Sequence, residues 1–464
     1  MNKIFGKTKH IHFVGIGGIG MSGMAELLYN HQFSISGSDI NISDRTRHLE
    51  SIGVKIYKGH DKNNINQSDL IVYSSAVELA NPEIKEGKIR NIPIVKRAEL
   101  LGEIIKIKQT SLAISGTHGK TTTTSMVGNI LHEAKLDPTI IAGGIVNKYD
   151  SNNISGSGEV VVVEADEFDK SFLSLAPTYV ALNNMELEHL DIYKDLDDLK
   201  ESFTDFANST PFYGSVCVGT DSQELLDIIP NINRTCKTFG INNKADLMAN
   251  NIVFSKTKTT FDVIDNKKNV CSIKLIVPGL HNVYNALCAI SICMEIDIPV
   301  KYIIKGLNEF CGVKRRFEIK YKNVSNKNVM IIDDYAHHHT ELSATIQAAK
   351  SGWPNRKITT IFQPHLFSRT QSFYKDFAKS LIDSDVNIIA PIYPEREKPI
   401  QNISSTLIVK ELKNAGHKKT YDCKEKKKIP DLVKQSIGNN DIIIFMGAGD
   451  IYKSIEPTYN RLNE

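Results

Sequence analysis

The stretch Leu112-Ala113-Ile114-Ser115-Gly116-Thr117-His118-Gly119-Lys120-Thr121-Thr122 joins a short apolar run to a glycine loop. Apolar residues between Met126 and Leu131 then recur at spacings that place them on one face of a helix. A strand, a glycine loop and a helix start form a phosphate site, because loop N–H groups and the helix dipole attract an anion. We therefore expect this loop to bind nucleotide phosphates, with Lys120 at the outer phosphates and the Thr121 hydroxyl on Mg²⁺.

The loop departs from the strict pattern G-x-x-x-x-G-K-[ST], because the residue five positions before Gly119 is Ile114. The shorter pattern G-x-x-G-K-T remains. The same residues also suit a tight strand-to-helix turn with an exposed lysine, and this alternative stays open on the residues alone.

Length and composition indicate a soluble protein of several domains. The chain has 464 residues, 41% of them hydrophobic and 23% charged, with a net charge of +3, which predicts two to four globular domains. Its seven cysteines include no C-x-x-C pair, which is typical of a reducing compartment without a disulfide framework. No apolar run reaches the roughly 18 residues of a membrane helix, and no secretion signal is evident. We expect a cytoplasmic protein that binds neither nucleic acid nor membrane.

The first hundred residues alternate strands and helices, which predicts a mostly parallel sheet. A strand at Ile11–Val14 leads into Gly15-Ile16-Gly17-Gly18-Ile19-Gly20, and a second strand at Phe33–Ser36 leads to Asp39. Asp39 lies 19 positions after Gly20, where a dinucleotide-binding domain carries its ribose-binding acid. The pattern favours either a dinucleotide such as NAD or a glycine turn that binds nothing.

Two candidate metal ligands follow strands of the second region. Five residues, Glu159-Val160-Val161-Val162-Val163, predict a strand buried on both faces that ends at Glu164. Another strand, Val180-Ala181-Leu182-Asn183-Asn184, leads toward His189. Mg²⁺ is commonly held by a carboxylate at a strand end beside a phosphate loop. The alternatives are an acidic loop for Glu164 and a surface histidine for His189.

Polar side chains also begin a later helix and follow the strands of the third region. His281, Asn282 and Asn285 share one side of a predicted helix, either as a helix cap or for recognition of a base. In the third region, apolar runs predict four strands: Val329–Ile332, Ile358–Phe362, Val386–Ala390 and Ile442–Met446. Each strand ends in polar residues, and open α/β sheets bind ligands beyond such ends. Among His337, His338 and His339, at most two side chains can share one target, because neighbouring side chains diverge.

Taken together and in order, these motifs resemble the Mur ligases of peptidoglycan synthesis. The resemblance rests on Gly15–Ser22, Gly116–Thr122, Glu164–Glu167, Pro278–Asn282, Asp333–His338 and Phe362–Thr370. It spans nearly the whole chain and implies three α/β domains. These are a Rossmann-like UDP-sugar domain (1–106), a central ATP-binding ligase domain with a P-loop-type, mostly parallel sheet (107–313) and a Rossmann-like C-terminal domain (314–464). The last would close over ATP and the amino acid.

The resemblance implies an enzyme that uses ATP and Mg²⁺, as two ions, to join L-alanine to UDP-N-acetylmuramate. This is a cytoplasmic step of cell-wall biogenesis, on which cell shape and division depend. The implied catalytic residues are Lys120, Glu164, His189, Arg316 and His337, with Thr121, Glu164 and His189 as metal ligands. ATP would be bound by residues 116–122 together with His281, Asn282, Asn285 and Asp334.

The substrates of the transfer are assigned by the same resemblance. The UDP-sugar would contact Gly17, Gly18, Met21, Ser22, Asp39, His60, Ser75, Ala76, His365 and Arg369. The amino acid would lie against Tyr335 and His337. We expect a monomer or a weak dimer.

Three alternatives remain. An NAD-dependent dehydrogenase built on Gly15–Gly20 leaves Lys120 without a role. A non-catalytic nucleotide-binding regulator is disfavoured by the joint presence of four residues: Lys120, Glu164, His189 and Arg316. A related ligase that adds a preformed peptide to the same sugar nucleotide is the narrowest rival.

Overall fold

Three mostly parallel sheets carry the chain. A computed structural model describes residues 5–74, 76–149, 151–187, 192–395 and 397–464. The strands are β1 (His10–Val14), β2 (Ser34–Asp39), β3 (Lys55–Lys58), β4 (Leu70–Tyr73), β5 (Ile94–Lys96), β6 (Thr110–Ser115), β7 (Thr139–Val146), β8 (Ser151–Ile154), β9 (Val160–Glu164), β10 (Tyr179–Leu182), β11 (Ser215–Gly219), β12 (Thr235–Gly240), β13 (Leu247–Ser255), β14 (Lys258–Asp265), β15 (Lys268–Leu275), β16 (Glu318–Val324), β17 (Val329–Asp334), β18 (Ile358–Phe362), β19 (Val386–Ile389), β20 (Thr420–Asp422) and β21 (Ile442–Met446).

Helices connect these strands, as in α/β folds. The α-helices are α1 (Ile19–Asn30), α2 (Asp44–Ser51), α3 (Pro82–Ile89), α4 (Arg97–Ile105), α5 (Lys120–Glu133), α6 (Leu196–Asn208), α7 (Gln223–Ile228), α8 (Leu280–Glu295), α9 (Val300–Asn308), α10 (His339–Gly352), α11 (Phe367–Leu381), α12 (Thr406–Asn414), α13 (Ile429–Ser436) and α14 (Ile455–Asn463). Short 3₁₀ helices lie at Phe168–Ser174, Ile229–Asn231, Lys426–Lys428 and Ile451–Ser454. None of the described helices is long and apolar enough to span a bilayer.

The strand orders are β3-β2-β1-β4-β5, then β15-β14-β13-β12-β11-β10-β6-β9-β7-β8, then β16-β17-β21-β18-β19-β20. Every pair in the first sheet is parallel. In the others, β8 is antiparallel to β7 and β16 to β17. This confirms the predicted fold class, three α/β domains with mostly parallel sheets.

The described chain forms two compact units. The first comprises the chain up to Asn250 with Asp262–Ile273 and Tyr284–Phe310, and the second comprises Asn251–Phe261, Lys274–Val283 and the chain from Cys311 onward. Each unit has its own apolar core.

Some strands end later than predicted, because their backbone pairing continues beyond the last apolar residue. Strand β2 continues through Asp39 because Gly37 pairs with Phe13 and Asp39 with Lys58. Position 37 requires glycine, because a Cβ there would lie 2.5 Å from the Ile16 side chain. Strand β9 likewise includes Glu164, which pairs with Ile114, so the carboxylate begins beside the phosphate loop.

Helices α5 and α9 meet closely at a glycine. A Cβ on Gly306 would lie 2.6 Å from the Ile130 Cα, and the Asn129 side-chain amide donates to the Gly306 carbonyl at 2.5 Å. The helix that follows the phosphate loop is therefore anchored through a contact that leaves no room for a side chain.

We predict that Gly306→Val lowers the free energy of unfolding by about 1–3 kcal/mol, because the added atoms overpack α5 against α9. Urea unfolding followed by circular dichroism measures this. Lys301→Val on the exposed face of α9 is the matched control. Equal stability of the two variants would show that the helices can separate without cost.

Candidate active site

The phosphate loop leaves β6 at the centre of the second sheet, between β10 and β9. Gly116 and Gly119 have φ of 135° and 80°, which only glycine adopts readily. A Cβ at Gly119 would lie 2.2 Å from the Asn285 side-chain oxygen. Helix α5 begins directly after Gly119, so its first N–H groups lack carbonyl partners one turn back. The local geometry is that of an anion site, as predicted.

The Lys120 ammonium is folded back onto its own loop. Its Nζ donates to the carbonyls of Gly116 (2.8 Å) and Thr117 (3.2 Å) and to the Glu167 carboxylate at 2.6 Å. A second carboxylate, Asp166, lies 3.7 Å away. Burial opposes the charge, but Glu167 and Asp166 outweigh it and raise the pKa of Lys120. The lysine is therefore a cation whose side chain is only 11% exposed, and the exposed-lysine alternative is excluded in this structure.

Glu167 is a site residue that was not predicted from the sequence. Its side chain is only 2% exposed. One carboxylate oxygen pairs with Lys120, and the other, Oε1, is buried without a hydrogen-bond partner among the described residues. The Tyr193 hydroxyl donates to the Glu167 backbone carbonyl at 2.7 Å. The run Glu164-Ala165-Asp166-Glu167 carried the signal, but nothing in it indicates which carboxylate meets the lysine.

Two asparagines brace the loop from β10. The His118 N–H donates to the Asn184 side chain at 2.7 Å, and the Thr117 N–H to the Asn184 carbonyl at 3.1 Å. The Asn183 amide donates to the His118 carbonyl at 2.9 Å. Sequence analysis placed both asparagines inside a strand. They follow it instead, because β10 ends at Leu182.

The proposed metal ligands Thr121 and Glu164 lie together. The Thr121 hydroxyl donates to Glu164 Oε1 at 3.0 Å, and the Gly143 N–H donates to Oε2 at 2.6 Å. Burial raises the pKa of Glu164 despite the nearby Lys120. A hydroxyl and a carboxylate are the hard oxygen donors that Mg²⁺ prefers, so this pair fits such an ion. The third proposed ligand, His189, lies outside the described residues.

The glycine loop of the first sheet is held by its own acid. Asp39 Oδ2 accepts the Gly17 N–H at 2.9 Å, and Arg45 donates to the Gly17 carbonyl at 3.0 Å. Gly18 is exposed at the start of α1, while Met21 and Ser22 are buried on its first turns. Asp39 therefore has a structural partner in the loop itself.

His60 joins a buried polar network. Its Nδ1 lies 2.9 Å from the Ser38 hydroxyl and 3.2 Å from Glu83, and Ser38 donates to Glu83 at 2.6 Å. Glu83 is fully buried, and no sequence motif pointed to it. Ala76 is exposed, with its N–H on the Ser74 hydroxyl at 3.2 Å. Ser75 lies outside the described residues.

In the second unit, Arg316 and Asp334 are both held by neighbours. Arg316 contacts Glu341 at 3.2 Å and lies over the Tyr335 ring at 5.3 Å. Asp334 accepts the backbone N–H groups of Phe317 (2.9 Å) and Ala336 (2.8 Å). Burial raises the pKa of Asp334, against the pull of Arg316.

The three adjacent histidines divide into one and two, which fits the expectation that at most two share a target: the rings of His338 and His339 lie 4.1 Å apart and both pack on Phe373. His337 packs edge-on against Tyr335, with ring centroids 5.4 Å apart, and lies 6.0 Å from the His365 ring. His365 stacks on Tyr393, and Arg369 lies on the first turn of α11. Tyr335, His337 and His365 therefore form one cluster beyond the ends of β17 and β18.

The three residues proposed for adenine have separate partners. Asn282 donates to the Pro278 carbonyl at 2.7 Å, which ties it to the loop before α8, whereas a helix cap would accept an N–H group. Asn285 accepts from the Asn183 amide at 2.9 Å. Burial and nearby Arg316 lower the pKa of His281 to about 4.

We predict that Glu167→Gln destabilises the nucleotide-free protein, because it leaves the buried Lys120 charge without its carboxylate. We expect a nucleoside triphosphate to replace that partner, so the thermal shift on adding AMP-PNP with Mg²⁺ should be larger than in the wild type. Differential scanning calorimetry measures both. Glu103→Gln, which removes an exposed ion pair to Lys106, should change neither quantity. Equal thermal shifts in wild type and Glu167→Gln would contradict the prediction.

The second unit should lose stability in acid through His365. Burial, His337 and Arg369 lower the pKa of His365 to about 4, whereas an unfolded histidine titrates near 6.5. Below about pH 6.5 the unfolded chain therefore binds a proton that the folded chain does not bind. The free energy of unfolding decreases as the pH is lowered. The change in the free energy of unfolding caused by His365→Gln should be about 2 kcal/mol more favourable at pH 5 than at pH 8. An equal effect at both pH values, from urea unfolding, would contradict this.

Known sequence families cover nearly all of this architecture. The model described as the Mur ligase family, catalytic domain, matches residues 10–109. The Mur ligase middle domain matches residues 114–293, and the Mur ligase, glutamate ligase domain, matches residues 315–449.

Curated relatives and solved structures agree with these matches. The chain is 42% identical over 450 residues to the UDP-N-acetylmuramate–L-alanine ligase of Desulfatibacillum aliphaticivorans, covering 97% of this chain and 98% of that one. It is 43% identical to the enzyme of the same name from Persephonella marina, covering 96% and 95%. The crystal structure of UDP-N-acetylmuramate-alanine ligase from Thermotoga maritima superposes with a TM-score of 0.82 at 31% identity, over 97% and 98% of the two chains.

A more distant likeness concerns the fold alone. The murein peptide ligase of Psychrobacter arcticus has a TM-score of 0.69 at 24% identity, over 98% of this chain and 99% of that one. Because the closer matches extend over nearly the full length at about 40% identity, they show the family: this chain belongs to the Mur ligases.

Proposed function

We propose that this protein joins L-alanine to the lactyl carboxylate of UDP-N-acetylmuramate at the expense of ATP, a step of peptidoglycan synthesis. The single observation that carries the chemistry is the buried Lys120 cation on a glycine loop beside the paired Thr121 and Glu164 oxygens. The substrates are those named for the full-length relatives at 42–43% identity.

The reaction consists of two balanced transfers. A carboxylate oxygen of the sugar attacks the γ-phosphorus of ATP, the bond to the bridging oxygen breaks, and ADP leaves. The L-alanine nitrogen then attacks the acyl-phosphate carbon, which loses inorganic phosphate and forms the amide. The nitrogen gives up a proton in this second step, and His337 is our candidate for its acceptor.

On the ATP side, the loop Gly116–Thr122 and the start of α5 would receive the phosphates. Lys120 would exchange its Glu167 partner for the γ-phosphate, since phosphoryl transfer depends on positioning and charge neutralisation rather than on a covalent protein group. Arg316 would help Lys120 to neutralise the charge of the γ-phosphate. His281, Asn282 and Asn285 are proposed for the adenine and Asp334 for the ribose.

Thr121 and Glu164 would hold Mg²⁺, and Glu164 with His189 a second ion. The oxygen donors of Thr121 and Glu164 suit this metal. When bound, such ions neutralise charge between the two reacting anions. The Thr121–Glu164 hydrogen bond of 3.0 Å is the present arrangement of the first pair.

The sugar nucleotide would lie on the first sheet. Gly17, Gly18, Met21 and Ser22 are proposed for the diphosphate, and Asp39, His60, Ser75 and Ala76 for the uridine. In the second unit, His365 and Arg369 are proposed for the muramyl group, and Tyr335 and His337 for L-alanine.

The narrowest rival adds a preformed peptide to the same sugar nucleotide. The structural match to a murein peptide ligase is weaker in both identity (24% against 31%) and TM-score (0.69 against 0.82) than the match to the alanine ligase. We therefore favour single-alanine addition, in a cytoplasmic protein that binds neither nucleic acid nor membrane and is a monomer or a weak dimer.

The test is phosphate release from ATP and Mg²⁺ with UDP-N-acetylmuramate, with and without L-alanine. We predict release that requires both substrates and falls by at least about 100-fold in Lys120→Ala, because the variant loses the cation at the transferred phosphate. Lys106→Ala, at an exposed lysine, is the control. Release with a tripeptide but not with L-alanine would favour the rival. Tight binding of both nucleotides without any release would leave a binding protein.

A further inference from the structure

A cavity of about 480 Å³ lies in the second unit, at the amino ends of its strands. Asn328 directly precedes β17, Arg356 lies two residues before β18, and Asn440 lies two residues before β21. All three line the cavity, whose size is that of a small-molecule pocket. The cluster around His337 lies beyond the opposite ends of β17 and β18, so this cavity is a different site.

The walls of the cavity carry three cationic side chains and, among the residues that the structure describes, no carboxylate. The cations are Lys256, in the turn between β13 and β14, Lys322 on β16, and Arg356. Within the described parts of the chain, neither lysine ammonium has a hydrogen bond or an ion pair. An anionic ligand would therefore meet positive charge that the protein itself does not neutralise.

Arg356 is held in place by the backbone. Its Nε donates to the Asn440 carbonyl at 2.9 Å, and its Nη2 donates to the Asn328 carbonyl. Burial lowers the pKa of Arg356, and nearby Asp441 opposes this effect only in part. The guanidinium is therefore fixed by neutral acceptors and is short of negative charge, which an anion in the cavity would supply.

The turn that carries Lys256 is fastened to the end of α10. The Lys256 N–H donates to the Gly352 carbonyl at 3.0 Å, and a Cβ on Gly352 would lie 2.6 Å from the Lys256 carbonyl oxygen. Trp353 follows Gly352 directly. Backbone contacts that need no ligand therefore bring the lysine and the indole to one cavity.

The Trp353 indole gives the cavity an aromatic surface. It is half-buried and lines the cavity, and it stacks on Phe317 with the ring planes 7° apart. Ile319 and the buried Met330 add apolar surface. An indole held in this way can stack with a second planar ring, and nucleobases stack on aromatic side chains irrespective of their sequence.

We propose that this cavity binds a nucleotide, with the base on Trp353 and the phosphates at the three cations. Lysine and arginine donate charge-assisted hydrogen bonds to phosphate oxygens, and several cations suit a chain of phosphates. The indole suits the base. This site is separate from the phosphate loop, which belongs to the first unit, and the inference does not depend on the proposed function.

Fluorescence of the full-length protein tests this, because Trp353 is the only tryptophan in the chain. GDP added in EDTA, without Mg²⁺, should quench the fluorescence saturably. Guanosine, which has the same base and no phosphate, should quench far less. Inorganic pyrophosphate should displace GDP only at a concentration at least about 5-fold higher, because it lacks the stacked base.

Variants locate the signal. Lys322→Met should raise the dissociation constant of GDP roughly 5- to 20-fold, because it removes a charge-assisted contact to phosphate. Lys256→Met should act in the same way. Lys413→Met, at an exposed lysine of α12 that does not line the cavity, is the matched control. Lys120→Ala, in the phosphate loop, should leave the quenching unchanged.

The inference is supported if GDP binding weakens in both cavity variants and persists in Lys413→Met and Lys120→Ala. It is overturned if GDP does not quench the wild type, or if both cavity variants bind GDP with wild-type affinity. Loss of the quenching in Lys120→Ala also overturns it, because the signal would then report the phosphate loop. Displacement by pyrophosphate at equal concentration overturns the assignment of a nucleotide. Circular dichroism verifies that each variant is folded.

Discussion

A charge inside a protein requires a partner, and the ion pair between Lys120 and Glu167 meets that requirement at the centre of the second sheet. The ammonium lies 2.6 Å from a carboxylate that is itself 2% exposed. Removing either partner alone would strand the other in a medium where an unpaired charge is costly. The pair is therefore stable without ligand, and under the proposed function a phosphate replaces the carboxylate.

The strand order of the second sheet brings these groups together. Strand β6 delivers the loop, β9 delivers the carboxylates from Glu164 to Glu167, and β10 delivers the two asparagines that brace it. Because the three strands are parallel neighbours, their carboxyl ends meet at one edge. The same logic places His60 and the glycine loop at the corresponding edge of the first sheet.

Much of this could be predicted from the sequence. Strands β18 and β21 have the predicted bounds, because an apolar run with polar flanks coincides there with the backbone pairing. The glycine loop and Thr121–Glu164 were also predicted, since their spacing follows from strand–loop–helix geometry. By contrast, Glu167 and Glu83 were missed. Their roles depend on side chains that come together from segments distant in sequence, and residue type alone does not indicate those contacts. The spacing of Asp39 predicted a ribose contact, which stays a prediction; in the structure its carboxylate accepts the Gly17 N–H.

The central claim is that the phosphoryl group passes from ATP to the substrate carboxylate before the amide forms. The most direct measurement uses UDP-N-acetylmuramate labelled with ¹⁸O in the lactyl carboxylate, with ATP, Mg²⁺ and L-alanine, and mass spectrometry of the released phosphate. The proposed chemistry predicts one ¹⁸O atom in each phosphate, because the carboxylate oxygen that attacks phosphorus leaves with it. Phosphate without ¹⁸O, formed together with the amide, would contradict the acyl-phosphate route.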